Sequence, residues 1–189
     1  VGIWKVGFGD HALMVDKEHN LEIEWIPFVQ NINLFISGVI DATLAMSYNE
    51  ILQIRAAGYD ISTAISIADE GYDFPEDGLY VSEDYFRNNP QTVKAFADAS
   101  RKGWEWAQEH PEETLEIVME KTHSNNIATN RTHQKWMLEE VLKLNKDTEI
   151  GTATYTLKSD QVRRLSDLLV KHGMISKPVT YETITGQTL

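Results

Sequence analysis

The sequence predicts an α/β protein in which a parallel, helix-covered sheet gives way to a run of amphipathic helices. Over residues 1–75, short apolar runs alternate with short segments of helical period. A turn-rich acidic stretch, DEGYDFPEDG at 69–78, then interrupts the alternation. Beyond it, apolar residues recur almost entirely at helical spacing.

The elements follow in order. VGIWKV is a short apolar strand, VGFGD a glycine turn, and residues 10–18 a short helix. LEIEWIPF alternates Leu21, Ile23 and Trp25 with polar neighbours, the period of a half-buried strand. Residues 31–37 form a short helix ending near Gly38, and VIDATLAM is a third strand. Residues 48–57 form a helix with Ile51, Leu52 and Ile54 inward and Gly58 as its C-terminal cap. TAISIAD is a fourth strand, and the βαβ alternation implies parallel pairing with right-handed crossovers. After the 69–78 loop, LYVS is one more short strand.

The helices then begin. Asn89-Pro90 is a start signal, followed by Val93, Phe96, Ala97, Trp104 and Ala107 on one face. Pro111 opens the next helix, with Glu112 and Glu113 at its positive end. Residues 129–144 carry Trp136, Met137, Val141 and Leu144 on one side. Ser159 caps a helix through His172, with Val162, Leu165, Leu168 and Leu169 inward and Gly173 ending it. Trp104, Trp106 and Trp136 are expected as packing residues. These apolar helix faces lack a second sheet in the sequence to cover them, so a preceding lobe is expected, and without it self-association or element swapping.

Composition narrows the function. A net charge of -12 disfavours nucleic acid, whose phosphates require clustered Lys and Arg. Cysteine is absent, which excludes disulfides, thiolate nucleophiles and Cys-ligated metal sites. No apolar run approaches the ~20 residues of a membrane-spanning helix. The six histidines show no H-x-x-x-H or H-E-x-x-H spacing, and His110, His123 and His133 read as surface or capping groups. No metal or other cofactor is expected.

Two stretches carry polar groups to the carboxyl edge of the predicted sheet, where parallel sheets bind ligands. GFGDHA places Gly7, Phe8, Gly9 and Asp10 after the first strand. Its partial G-x-G-x-x-A pattern lacks a ribose-binding acid at the end of the next strand. A tight turn, or a turn whose N–H groups hold a polar ligand, therefore fits better than a dinucleotide site. Tyr48, Asn49 and Glu50 follow the third strand. They serve as a helix cap and first-turn acid, or as a stacking ring and a carboxylate accepting from a ligand amine or amidine. Tyr72 and Phe74, in the acidic loop, are candidates for the same rim.

VGIWKVGFGD, MSYNEILQI, DFPEDGLYVSEDYFRNNPQTVKAFADASRKGWEWAQEHPEETLEIVME and NRTHQKWML together resemble the substrate-binding proteins of ABC importers in the thiamine-pyrimidine-precursor and sulfonate/nitrate/taurine group. The resemblance runs from Val1 to about Leu144 and is most specific over 73–119. It implies a type II periplasmic-binding-protein fold, with residues 1–75 as the second α/β lobe. Residues 76–189 would supply the hinge return and helices that pack on a first lobe whose sheet is missing. It also implies a small heteroaromatic or amine-bearing ligand, such as a thiamine pyrimidine precursor, bound in an interlobe cleft. In pyrimidine-binding members a cleft carboxylate engages the aminopyrimidine while aromatics stack on the ring, and Glu50 matches that position. The further implications are an ABC permease partner and a periplasmic or lipoprotein-anchored extracytoplasmic location in a bacterium. The alternatives are a sensory ligand-binding domain or a thiamine-pyrimidine-synthase-like enzyme. The synthases carry a Cys-rich iron-binding motif that this sequence does not contain.

Overall fold

The structure, a computed structural model, describes residues 1–5, 7–28, 32–73, 75, 77–145 and 155–186. The chain divides into two compact units. One comprises Val1–Met46, Gln53–Glu76 and Leu157–Leu189; the other comprises Ser47–Leu52 and Asp77–Thr156. The described residues are mixed α/β and mostly helical, with a two-stranded parallel sheet.

In the first unit, β1 (Gly2–Trp4) pairs in parallel with β2 (Ile26–Phe28), Gly2 opposite Ile26 and Trp4 opposite Phe28. Between them runs α1 (Asp10–His19), which buries Ala12 and Met14. This βαβ unit is what the alternation predicts, but β2 is shorter than LEIEWIPF. Asn20 and Glu22 take positive φ values of 50° and 54°, so the chain leaves extended geometry there. Asp16 gathers the returning segment instead: its carboxylate accepts from Ile23 N at 3.4 Å and from Trp25 Nε1 at 2.8 Å.

The third predicted strand is reduced to one parallel bridge between Gly2 and Thr43, with Gly2 N donating to Ala42 O and Leu44 N to Gly2 O, each at 2.9 Å. The contact is close because Gly2 has no side chain: a Cβ there would stand 2.8 Å from Thr43 Oγ1. The predicted fourth strand does not form. Residues 63–67 are irregular, Ile65 is 78% exposed, and the chain enters a π-helical turn, Ala68–Tyr72. Its described backbone bonds are local, such as Ala64 N to Ile61 O and Tyr72 N to Ile67 O. An apolar run becomes a strand only where a sheet edge takes its hydrogen bonds. The expected strand at 79–82 is absent too, and there Leu79 and Tyr80 are exposed. The same unit holds α2 (Asn33–Ile36), the greater part of α3 (Glu50–Ala56), α8 (Ser159–Lys171) and α9 (Tyr181–Thr185). Lys158 rather than Ser159 is the N-cap of α8. Its buried face includes the polar groups of Ser166 and His172 beside Val162. Ser166 Oγ accepts from Val179 N at 2.7 Å, which ties α9's approach to α8.

In the second unit, α4 (Glu83–Asn88) precedes α5 (Pro90–Glu109), α6 (Pro111–Ser124) and α7 (Arg131–Leu144). Both proline-led starts are as the sequence predicts. Leu115 is 1% exposed and Leu142 and Ala107 are buried, so these three helices share a core. Gln108 Nε2 donates to Leu142 O at 2.8 Å, and Lys135 donates to Glu112 at 2.7 Å, linking α7 to α5 and α6. Trp104 and Trp106 are 39% and 40% exposed, so the expectation that they pack inward is corrected. The Trp106 ring instead stacks on His110, with centroids 4.7 Å apart. Among the described residues no helix is long and apolar enough to cross a membrane.

Candidate functional site

Each unit holds a group of the residues expected at a ligand edge. In the first unit the group lies where β1 ends and α1 begins. Lys5 N donates to Phe28 O at 3.1 Å, which carries the β1–β2 pairing one residue past Trp4. Gly7 turns the chain at a φ of +71°, a conformation that side chains disfavour. Gly9 is buried for a packing reason, because a Cβ there would lie 2.5 Å from Ile3 Cγ1. Asp10 is the first residue of α1, where a carboxylate is favoured by the helix dipole.

These residues line a cavity of about 310 Å³ whose other walls include Trp4, Lys5 and Trp25. Phe8 is half exposed and is not part of the lining. Trp4 and Trp25 supply aromatic faces, and Lys5 and Asp10 supply one charge of each sign. The Trp25 indole is fixed by its bond to Asp16. The Trp4 ring leans on Phe28, with centroids 4.5 Å apart, and its Nε1 is buried without a hydrogen-bond partner among the described residues. Trp4, Lys5 and Trp25 were not singled out from the sequence. For Trp4 and Lys5 the available signal was their position at the carboxyl end of β1, whereas Trp25 precedes β2 at its amino end, where that rule does not point.

Tyr72 lies elsewhere in the first unit. Its ring is 6.4 Å from that of His172, whose Nε2 is 3.2 Å from Glu18 Oε2. Glu18 is near the end of α1 opposite Asp10, about 12 Å along the helix axis. Lys171 donates to both Glu18 oxygens, at 2.8 and 2.7 Å, and Lys17 Nζ donates to His172 O at 2.6 Å. The Lys171 hydrogen bond holds the Glu18 carboxyl below its ordinary range. This cluster binds α8 to α1, and Tyr72 is beside it rather than beside Gly7 and Asp10. Phe74 lies outside the described residues.

In the second unit, Tyr48 and Asn49 form a half-buried turn and Glu50 begins α3. Glu50 is 4% exposed. Asn49 Nδ2 donates to Glu50 Oε1 at 2.9 Å, and Asn49 Oδ1 is 2.8 Å from His133 Nε2. His133 sits in the first turn of α7, where its backbone N–H donates to the Asn130 side chain at 2.9 Å. The Asn130 cap therefore sets the start of the helix that presents the imidazole. His133 is corrected from a surface or capping group to the partner of Asn49 across 84 residues of chain. No spacing rule signals such a pairing. Among the described residues, no three His, Asp or Glu side chains gather as metal ligands.

A buried, amide-held carboxylate beside a tyrosine in one unit and a tryptophan-lined cavity in the other both suit the recognition of a small ring. A family model described as NMT1/THI5 like matches residues 1–114. The chain belongs to this family. The family has a periplasmic-binding-protein type of fold, and it covers both ABC substrate-binding proteins and thiamine-synthase-like proteins. Its substrate-binding members are usually extracytoplasmic in bacteria. Comparisons with curated proteins and with solved structures gave no match to the chain.

Proposed function

We propose that the protein is the solute-binding component of an ABC importer, with an ABC permease as its partner and an extracytoplasmic place of work. Its ligand is a small heteroaromatic or amine-bearing molecule, and a thiamine pyrimidine precursor has the right chemistry. Glu50 carries this reading: a carboxylate only 4% exposed, beside Tyr48, with one oxygen held by Asn49. A carboxylate in such surroundings accepts N–H groups strongly, since competing water is scarce. An aminopyrimidine offers an exocyclic amine to it and a flat ring to a tyrosine face. The reading involves no covalent step: ligand contacts favour a closed state of the protein, and the permease reads that state.

Calorimetric titration with an aminopyrimidine tests the assignment. Glu50→Gln keeps the shape but removes the charge, and it should weaken binding by about 1–3 kcal/mol. Equal affinity of the wild-type and variant proteins would remove Glu50 from the site. A thermal-shift screen of pyrimidines, sulfonates and nitrate then ranks the ligand classes, with stabilisation by pyrimidines expected.

A further inference from the structure

The network behind Glu50 runs in one direction, and this assigns a role to His133. The Asn49 group 2.9 Å from Glu50 Oε1 is its NH₂, which donates to the carboxyl oxygen. The other end of the same amide is then the carbonyl oxygen, which lies 2.8 Å from His133 Nε2. A carbonyl oxygen cannot donate. His133 Nε2 must therefore carry a proton and donate it to Asn49 Oδ1, whether the ring is neutral or charged.

We propose that His133 is a positioning residue for ligand recognition: through Asn49 it keeps Glu50 oriented as a hydrogen-bond acceptor and so selects N–H-donating ligands over anions. This rests on the assignment of Glu50 to the ligand. Without the Nε2–H donor the Asn49 amide has less reason to keep its NH₂ toward Glu50. A half-turn of the amide would set its carbonyl oxygen against the carboxylate, two acceptors facing one another. His133 is suited to hold the amide because its own helix start is fixed by Asn130. The selection has a chemical reason as well. A buried carboxylate repels sulfonates and nitrate and attracts amines, amidines and aminopyrimidines.

Nitrogen–proton NMR of the protein reads the tautomer of His133 and the exchange of the Asn49 side-chain amide, with or without ligand. Nε2–H and slow amide exchange are expected. In His133→Leu, Asn49 amide exchange should rise about tenfold and aminopyrimidine affinity should fall about tenfold, the scale of one hydrogen bond. In a Glu50→Gln background the same substitution should cost nothing further. His133→Gln retains an N–H donor and should restore slow exchange and most of the affinity, an outcome that simple loss of helix stability would not produce. A bare Nε2, or His133→Leu with unaltered Asn49 exchange, overturns the role. If Glu50→Gln weakens binding while His133→Leu does not, the positioning inference fails and the proposed function stands. If neither substitution changes affinity, Glu50 is removed from the site and the positioning role fails with it, whatever the tautomer and exchange results.

Discussion

At the start of α1, Asp10 lines an open cavity with Lys5 and two tryptophans. At the start of α3, Glu50 is almost fully buried and belongs to a hydrogen-bonded series that ends at His133. Local sequence treats the two alike: each is an acid in the first turn of a helix that follows a glycine or polar turn. Their surroundings differ because of what the rest of each unit brings. Beside Asp10 the neighbours are close in sequence, all from the βαβ unit whose two strands pair in parallel. Glu50 is bonded to Asn49, and the other partner of that amide comes from a helix 84 residues away in the chain. A carboxylate at a helix start is thus a general feature, and its burial and fixed orientation are what give it ligand-reading chemistry.

Removing the core of the helical unit tests this contrast most severely. Leu115, 1% exposed on α6, lies in the core shared with α5 and α7. Leu115→Ala should cost about 2–5 kcal/mol in urea unfolding, from lost burial and the cavity left behind. By loosening the helices that support His133, it should also weaken ligand binding more than an equally destabilising change in α1, such as Met14→Ala. Equal effects on binding would blur the distinction between the two regions.

A smaller effect is expected at the glycine turn. Gly9→Ala places a methyl group 2.5 Å from Ile3 Cγ1, so Ile3 must move. Urea denaturation should show a loss of about 1–3 kcal/mol from overpacking. A neutral result would mean that β1 yields easily, and that the cavity at its end is less rigid than the Glu50 network.

The smallest effect concerns the α1–α8 clasp. Because Lys171 lowers the Glu18 pKa in the folded protein, Glu18 contributes stability above the ordinary glutamate range. That contribution fades as pH falls below about 4.5, through the lowered folded value. Unfolding midpoints of wild type and Glu18→Gln, compared across acidic pH, should converge as pH drops. A constant gap between them would show that the bond does not titrate as described.

Much of the helical architecture was legible from residue types alone. Asn89-Pro90 and His110-Pro111 set two helix starts, since proline at the first position loses no hydrogen bond. Gly58 and Gly173 follow the helices they were expected to end, with φ values of +91° and +70°. The polar triplet at 48–50 was legible as a turn into a helix, because an acid in the first turn is a local electrostatic preference. Strands were less legible. TAISIAD has the composition of a strand, yet strand formation needs an adjacent edge, which composition does not encode. The exposed Trp104 and Trp106 likewise sit at helical spacing, and only neighbouring helices determine which side of such a helix is covered.

The sequence by itself determined the family, the βαβ start and the helix-rich remainder, because turn residues, caps and hydrophobic period act over a few positions. Tertiary structure alone decided that Thr43 would meet Gly2 in a single bridge, that Trp4 and Trp25 would wall one cavity, and that His133 would meet Asn49. Those contacts join residues of different elements. Their geometry depends on how whole elements pack, a property that no local preference carries.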